Sequence, residues 1–158
     1  MNGSPLQVLE KHPFVAEFRP EHRARLATMA KEVHFVPNQI IFHEGDDYSV
    51  LYLLVEGMVS LELEVPEHVL RVQTLYGGDV FDWSALLPHA GKHFQARALD
   101  DVTALAIEGD HLLASFKSDP EFGLAFTLRL MGVVSERLRA TRLQLLDMYS
   151  PVAKRAGA

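Results

Sequence analysis

The sequence predicts a mainly β domain with flanking helices (α+β), its strands forming an antiparallel roll or sandwich. Three observations predict it. The middle of the chain alternates apolar and polar residues, as in VSLELEV, and is rich in Val, Ile, Leu, Phe and Tyr. That is the period of a half-buried strand. Turn chemistry breaks this region at Pro37-Asn38, Gly45-Asp46-Asp47, Glu56-Gly57 and Pro66-Glu67-His68, so short strands follow one another directly and do not alternate with helices. The start and the end of the chain carry helix formers and helix start signals instead.

The elements follow in order. Arg19 to Lys31 reads as a helix opened by Pro20, with Leu26, Met29 and Ala30 on one inward stripe. From Val33 the period becomes that of strands, and the roll spans about residues 33–108, ending with RVQTLY and VTALAI. Gly45 and Gly57 fall in turns expected to need positive φ, which glycine adopts cheaply. Gly77-Gly78 would reverse the chain sharply or let backbone approach a ligand. After Gly109 the helix period returns. GDHLLASFKSDP predicts a short helix with Asp110 as N-cap, and Asp119-Pro120 opens a long one, so helices fill about 110–149. The long helix is expected to stop before Ser150-Pro151. Residues 1–150 then form a single domain and 151–158 a flexible tail.

That last helix would be about 40 Å long. Leu124, Leu128, Met131, Leu138 and Leu145 recur at helical spacing, and Leu130, Val133, Val134 and Leu146 widen the apolar surface. One face packs on the roll. The remainder is covered by the body or by a second copy of the helix, so a homodimer through this helix is expected.

Composition bounds the function. The chain has 158 residues and no cysteine, which removes disulfides, thiol catalysis and cysteine-bound metals. The N-terminus has no signal-peptide pattern and no apolar run reaches a membrane span, so a cytoplasmic protein with no membrane partner is expected. Net charge is −6, and residues 121–158 hold six Lys/Arg against three Asp/Glu. The acidic body argues against DNA binding. The basic helix either touches nucleic acid or is a solvated face that complements that body.

VPNQIIFHEGDD, LYLLVEGMVSLELE, LYGGDVF and QARALDDVTALAI occur in that order. Together they resemble the cyclic-nucleotide-binding domain, the sensor module of catabolite-activator-type regulators and of cyclic-nucleotide-gated kinases and channels. The resemblance covers about residues 5–147 and implies an eight-stranded β-roll (jelly roll) with N-terminal helices and a long C-terminal helix. In such regulators an appended helix-turn-helix domain reads DNA. This chain stops soon after the helix, so no DNA-binding domain is expected.

The resemblance places a phosphate-binding cassette at GGDVFDWSALLPHAGKHFQARAL. Its candidate ligand residues are Gly78, Asp82, Trp83, Ser84, Ala85, Lys92, His93 and Arg97. In the family a glycine falls on Asp82, a ribose-binding glutamate on Trp83 and a phosphate-binding arginine on Lys92. Asp82 puts a carboxylate where a phosphate would approach, and two unit charges ~4 Å apart repel by ~4 kcal/mol at an effective dielectric of 20. Trp83 offers one N–H donor and no acceptor. Lys92 keeps the charge and loses the fork. Each lost charged contact costs ~1.5–3 kcal/mol, so three would move micromolar binding beyond millimolar.

Alternatives stay open at each residue. Asp82 caps the short helix or pairs with Lys92, Trp83 is core or pocket wall, and Arg97 is a displaced phosphate ligand or a strand residue facing solvent or an acid. The chain lacks the nucleophile-elbow, Walker and dinucleotide patterns, and no enzyme activity is expected. A cupin-like metal protein would need His34, His43, Glu44, His89 or His93 as ligands, and no His-x-His motif supports it. The reading is therefore a stand-alone regulatory or sensor module with altered or lost cyclic nucleotide affinity and no resident cofactor or metal. It would take a cyclic nucleotide or another small anionic ligand weakly, or act through a protein partner. The alternatives are the cupin-like metal protein and a ligand-free dimeric scaffold.

Overall fold

In a computed structural model of the chain, residues 3–87 and 91–156 are described. The N-terminal elements are α1 (Pro5–Glu10), a 3₁₀ turn at Pro13–Val15 and α2 (Pro20–Met29). Eight strands follow: β1 (Ala30–Phe35), β2 (Ile40–Phe42), β3 (Val50–Glu56), β4 (Met58–Val65), β5 (His68–Tyr76), β6 (Val80–Phe81), β7 (Gln95–Ala98) and β8 (Val102–Glu108). A second 3₁₀ turn, Trp83–Leu86, lies between β6 and β7, and α3 (Gly109–Ser118) and α4 (Pro120–Ala156) close the chain.

The strands form two antiparallel four-stranded sheets, ordered β1-β8-β3-β6 and β2-β7-β4-β5. Alternation along each strand builds two cores. Tyr52, Leu54, Val59, Leu61, Ala96 and Ala104 point between the sheets. Leu51, Leu53, Leu105 and Ile107 point the other way, toward the helices. There Phe126 of α4 lies 5.2 Å from the Phe14 ring and 5.3 Å from that of Phe116 in α3. These aromatic contacts tie the N-terminal turn, α3 and α4 into one layer.

Gly45 and Gly57 adopt φ of 84° and 94°, as their turns require. A Cβ at Gly57 would also meet the Asp101 carbonyl at 2.4 Å. The strand VSLELEV departs from simple alternation, because Ser60 and Glu62 are buried as well as Val59 and Leu61. On the face turned away from the roll interior, Arg71 Nε donates to Ser60 Oγ at 3.0 Å, and Gln95 Nε2 donates to Glu62 at 3.0 Å. Partnered polar groups can be buried at that modest cost.

Three expectations about helices need correction. The α2 helix is shorter than Arg19–Lys31, because Ala30 already pairs with Ile107 as the first residue of β1. Asp110 is not the N-cap of α3. Glu108 holds that position without a side-chain bond, and Asp110 sits in the first turn, where a carboxylate still complements the helix dipole. The α4 helix does not stop at Ser150. It runs through Pro151 to Ala156, since a proline removes one backbone hydrogen bond and good helix formers on both sides can carry the turn across. Of the tail expected at 151–158, only 157–158 thus lie outside the described residues. Asp119 does cap the start, accepting from the Phe122 N–H at 3.2 Å. Among the described residues no helix is long and apolar enough to cross a membrane.

Candidate functional site

The segment from β6 to β7 lies at one mouth of the roll, beneath α4. Between them is a cavity of about 300 Å³. The roll contributes Phe42, Leu61, Val72 and Gln73, the β6–β7 segment contributes Asp82, Trp83, Ser84, His93 and Phe94, and α4 contributes Val134, Arg137, Leu138 and Thr141.

Asp82 organises the segment. Its backbone is left-handed, φ 65° and ψ 42°, which costs a non-glycine residue about 1–2 kcal/mol. It occupies the N-cap position of the Trp83–Leu86 turn, yet its side chain accepts no backbone N–H there. The helix-cap reading of Asp82 is therefore corrected. The carboxylate accepts instead from Ser84 Oγ at 2.9 Å and forms an ion pair with Lys92 Nζ. A left-handed backbone turns it toward these partners and away from the helix donors.

Lys92 is enclosed. Its side chain is 2% exposed and that of Asp82 is 3% exposed. The ammonium also lies 4.9 Å from the ring centres of Phe42 and Tyr48, within cation–π range. Burial lowers its pKa to about 8, with Asp46 acting in the opposite sense. The Lys92 carbonyl accepts from the Gly45 N–H at 2.9 Å, which fixes the segment to the β2–β3 turn.

The other candidates divide clearly. Trp83, Ser84 and His93 join Asp82 at the cavity wall. Trp83 also packs on the helix-side core, so it is both core and wall. Ala85 is buried, and its carbonyl would lie 2.3 Å from a Cβ at Gly109; only glycine lets α3 start this close to the segment. Gly78, φ 99°, turns the chain from β5 into β6 and packs on Pro13, away from the cavity. Arg97 does not line the cavity either. It faces an acidic neighbour, with Nε 3.1 Å from Glu62 Oε1 and Nη1 donating to Asn38 Oδ1 at 3.0 Å.

Sequence reasoning missed Arg137. Its Nη2 donates to the Val80 carbonyl at 2.9 Å and its guanidinium stands 4.4 Å over the Trp83 ring. Burial lowers its pKa and Asp79 opposes that. A signal existed: Phe122, Phe126, Leu130, Val133 and Arg137 share one helical stripe, and a charged residue ends an otherwise apolar series.

The model of the cyclic nucleotide-binding domain family matches residues 32–119, which run from within β1 through β8 and α3 and include the β6–β7 segment. The chain belongs to the cyclic nucleotide-binding domain family. The matched residues take in the β6–β7 segment that walls the cavity beneath α4. Relatives include a CRP-like cAMP-activated global transcriptional regulator of Mycobacterium tuberculosis, 23% identical over 90% of this chain and 62% of its own length. A cAMP-dependent protein kinase regulatory subunit of Hypocrea atroviridis is 28% identical over 85% of this chain and 25% of its own. The chain thus spans about three fifths of the first and a quarter of the second. A cyclic nucleotide-binding domain from Methylobacillus flagellatus shares the fold, with a TM-score of 0.79, 16% identity and coverage of 92% of this chain and 82% of that one. The cupin-like alternative finds no support: among the described residues no three His, Asp or Glu side chains converge as a metal-holding group. His89 lies outside the described residues.

Proposed function

We propose that this chain is a non-enzymatic regulatory module of the cytoplasm. Its cyclic-nucleotide cavity takes a small anionic ligand and has lost most of its affinity for cyclic nucleotides. Residues 1–150 act as one domain, and two copies associate through the exposed face of α4. Asp82, Trp83, Ser84 and His93 are the cassette residues around the ligand, with Lys92 set behind them against Asp82.

The observation that carries the reading is the buried Asp82–Lys92 pair. The cassette cation that takes the place of the family's arginine, Lys92, is already paired with a carboxylate of the same chain. A cyclic phosphate entering there would have to displace that carboxylate or share the ammonium with it, against repulsion of several kcal/mol at short range. Trp83 stands where the ribose would need an acceptor and supplies none. The dimer rests on α4: Leu124, Leu128, Met131 and Leu138 are each more than half exposed and recur on one face. A series of apolar residues at this spacing suits a paired helix.

Calorimetry with cyclic AMP and cyclic GMP tests the loss of affinity. The expected result is no binding tighter than about 10 µM, roughly −6.8 kcal/mol. Tighter binding of either nucleotide contradicts the proposal.

A further inference from the structure

Arg137 reaches the cavity from the helix side. Its Nη2 is held by the Val80 carbonyl, while Nη1 is buried with no hydrogen-bond partner among the described residues. Such a donor is costly to leave unmet, and an acceptor that reaches it recovers that cost. The guanidinium carbon lies 4.4 Å from the centre of the Trp83 ring, and both residues line the cavity. Its other walls are largely apolar, with Phe42, Leu61, Phe94 and Val134 among them. The cassette's own cation, Lys92, is spent on Asp82.

We propose that this cavity binds an apolar carboxylate, its hydrocarbon body against Trp83, Phe42 and Phe94 and its carboxylate on Arg137. This rests on the cavity being the ligand site and names the class of ligand. With Nη2 held by Val80, Nη1 is the donor left for a carboxylate oxygen, and such a charge-assisted bond is among the stronger ones. A single negative charge balances a single guanidinium. A dianionic phosphate would bring a second charge into apolar walls already flanked by Asp82, where it has no partner. The volume, about 300 Å³, lies at the small end of ligand pockets and has room for a mono- or bicyclic ring system.

The test is calorimetry with benzoate and naphthoate, each against its neutral amide, on the wild-type chain and on Arg137→Gln. Thermal unfolding establishes that the variant is folded. The wild type should bind at least one carboxylate at least about tenfold more tightly than the matching amide, the yield of one charged hydrogen bond. That preference should vanish in Arg137→Gln. Equal binding of acid and amide, a preference that survives in Arg137→Gln, or no binding of either acid at millimolar concentration overturns the proposal. The comparison within the wild type stands even if Arg137→Gln fails to fold. Tight binding of cyclic AMP would instead sink the reading that the nucleotide contacts are lost, whatever the carboxylates do.

Discussion

Lys92 and Asp82, ten positions apart in sequence, form a buried ion pair in the segment between β6 and β7. Two desolvated charges depend on each other, and removing one leaves the other uncompensated. Lys92→Met and Asp82→Asn should each lower stability by about 3–5 kcal/mol. The joint change should recover much of that loss, because no charge is then left alone. Urea unfolding of the four proteins gives the coupling. Additive losses would mean that the pair is not a unit.

A second prediction concerns acid. His12 is buried, with Nε2–H donating to the Leu54 carbonyl at 2.9 Å and Nδ1 accepting from the Phe14 N–H at 3.2 Å. Both nitrogens are used only in the neutral ring. Burial sets its pKa below the usual 6.5, with Leu54 and Asp79 acting against that and Arg129 with it. The unfolded chain therefore binds the proton first as pH falls. The contribution of His12 is complete above about pH 6.5 and declines as pH drops toward the folded pKa. Unfolding free energies from pH 7 down to about 5 should fall more steeply for the wild type than for His12→Gln. Parallel curves would place the acid sensitivity elsewhere.

The outer face of α4 makes the third prediction. Sedimentation at tens of micromolar should show a dimer for the wild type and a monomer for Leu128→Glu combined with Met131→Glu. Both residues are exposed, so the substitutions should cost the folded monomer less than about 0.5 kcal/mol each. A wild type that stays monomeric removes the dimer.

Much of the fold was legible because its signals are local. Gly45 and Gly57 mark turns by their conformation, and the period of VSLELEV marks a strand. What was hidden depends on distant partners. Glu62 reads as a solvent-facing strand residue until Gln95 and Arg97 come beside it. For Asp82 the sequence left a helix cap and a pair with Lys92 both open, and the left-handed backbone decides for the pair. Arg137 lies 55 positions after Asp82, and only the return of α4 over the roll brings it onto Trp83. The stop expected at Ser150-Pro151 shows the reverse error, a strong local signal outweighed by the helix around it.

If, as proposed, Asp82, Trp83 and Lys92 together keep cyclic nucleotides out, restoring the family's residues at these three positions admits them. Asp82→Gly suits the left-handed backbone, Trp83→Glu restores an acceptor and Lys92→Arg restores the fork. Calorimetry of cyclic AMP with the triple variant, beside the wild type, tests the claim directly. The account predicts a gain of at least about a hundredfold over the wild type, the yield of two charged contacts. A triple variant that binds no better than the wild type would contradict it.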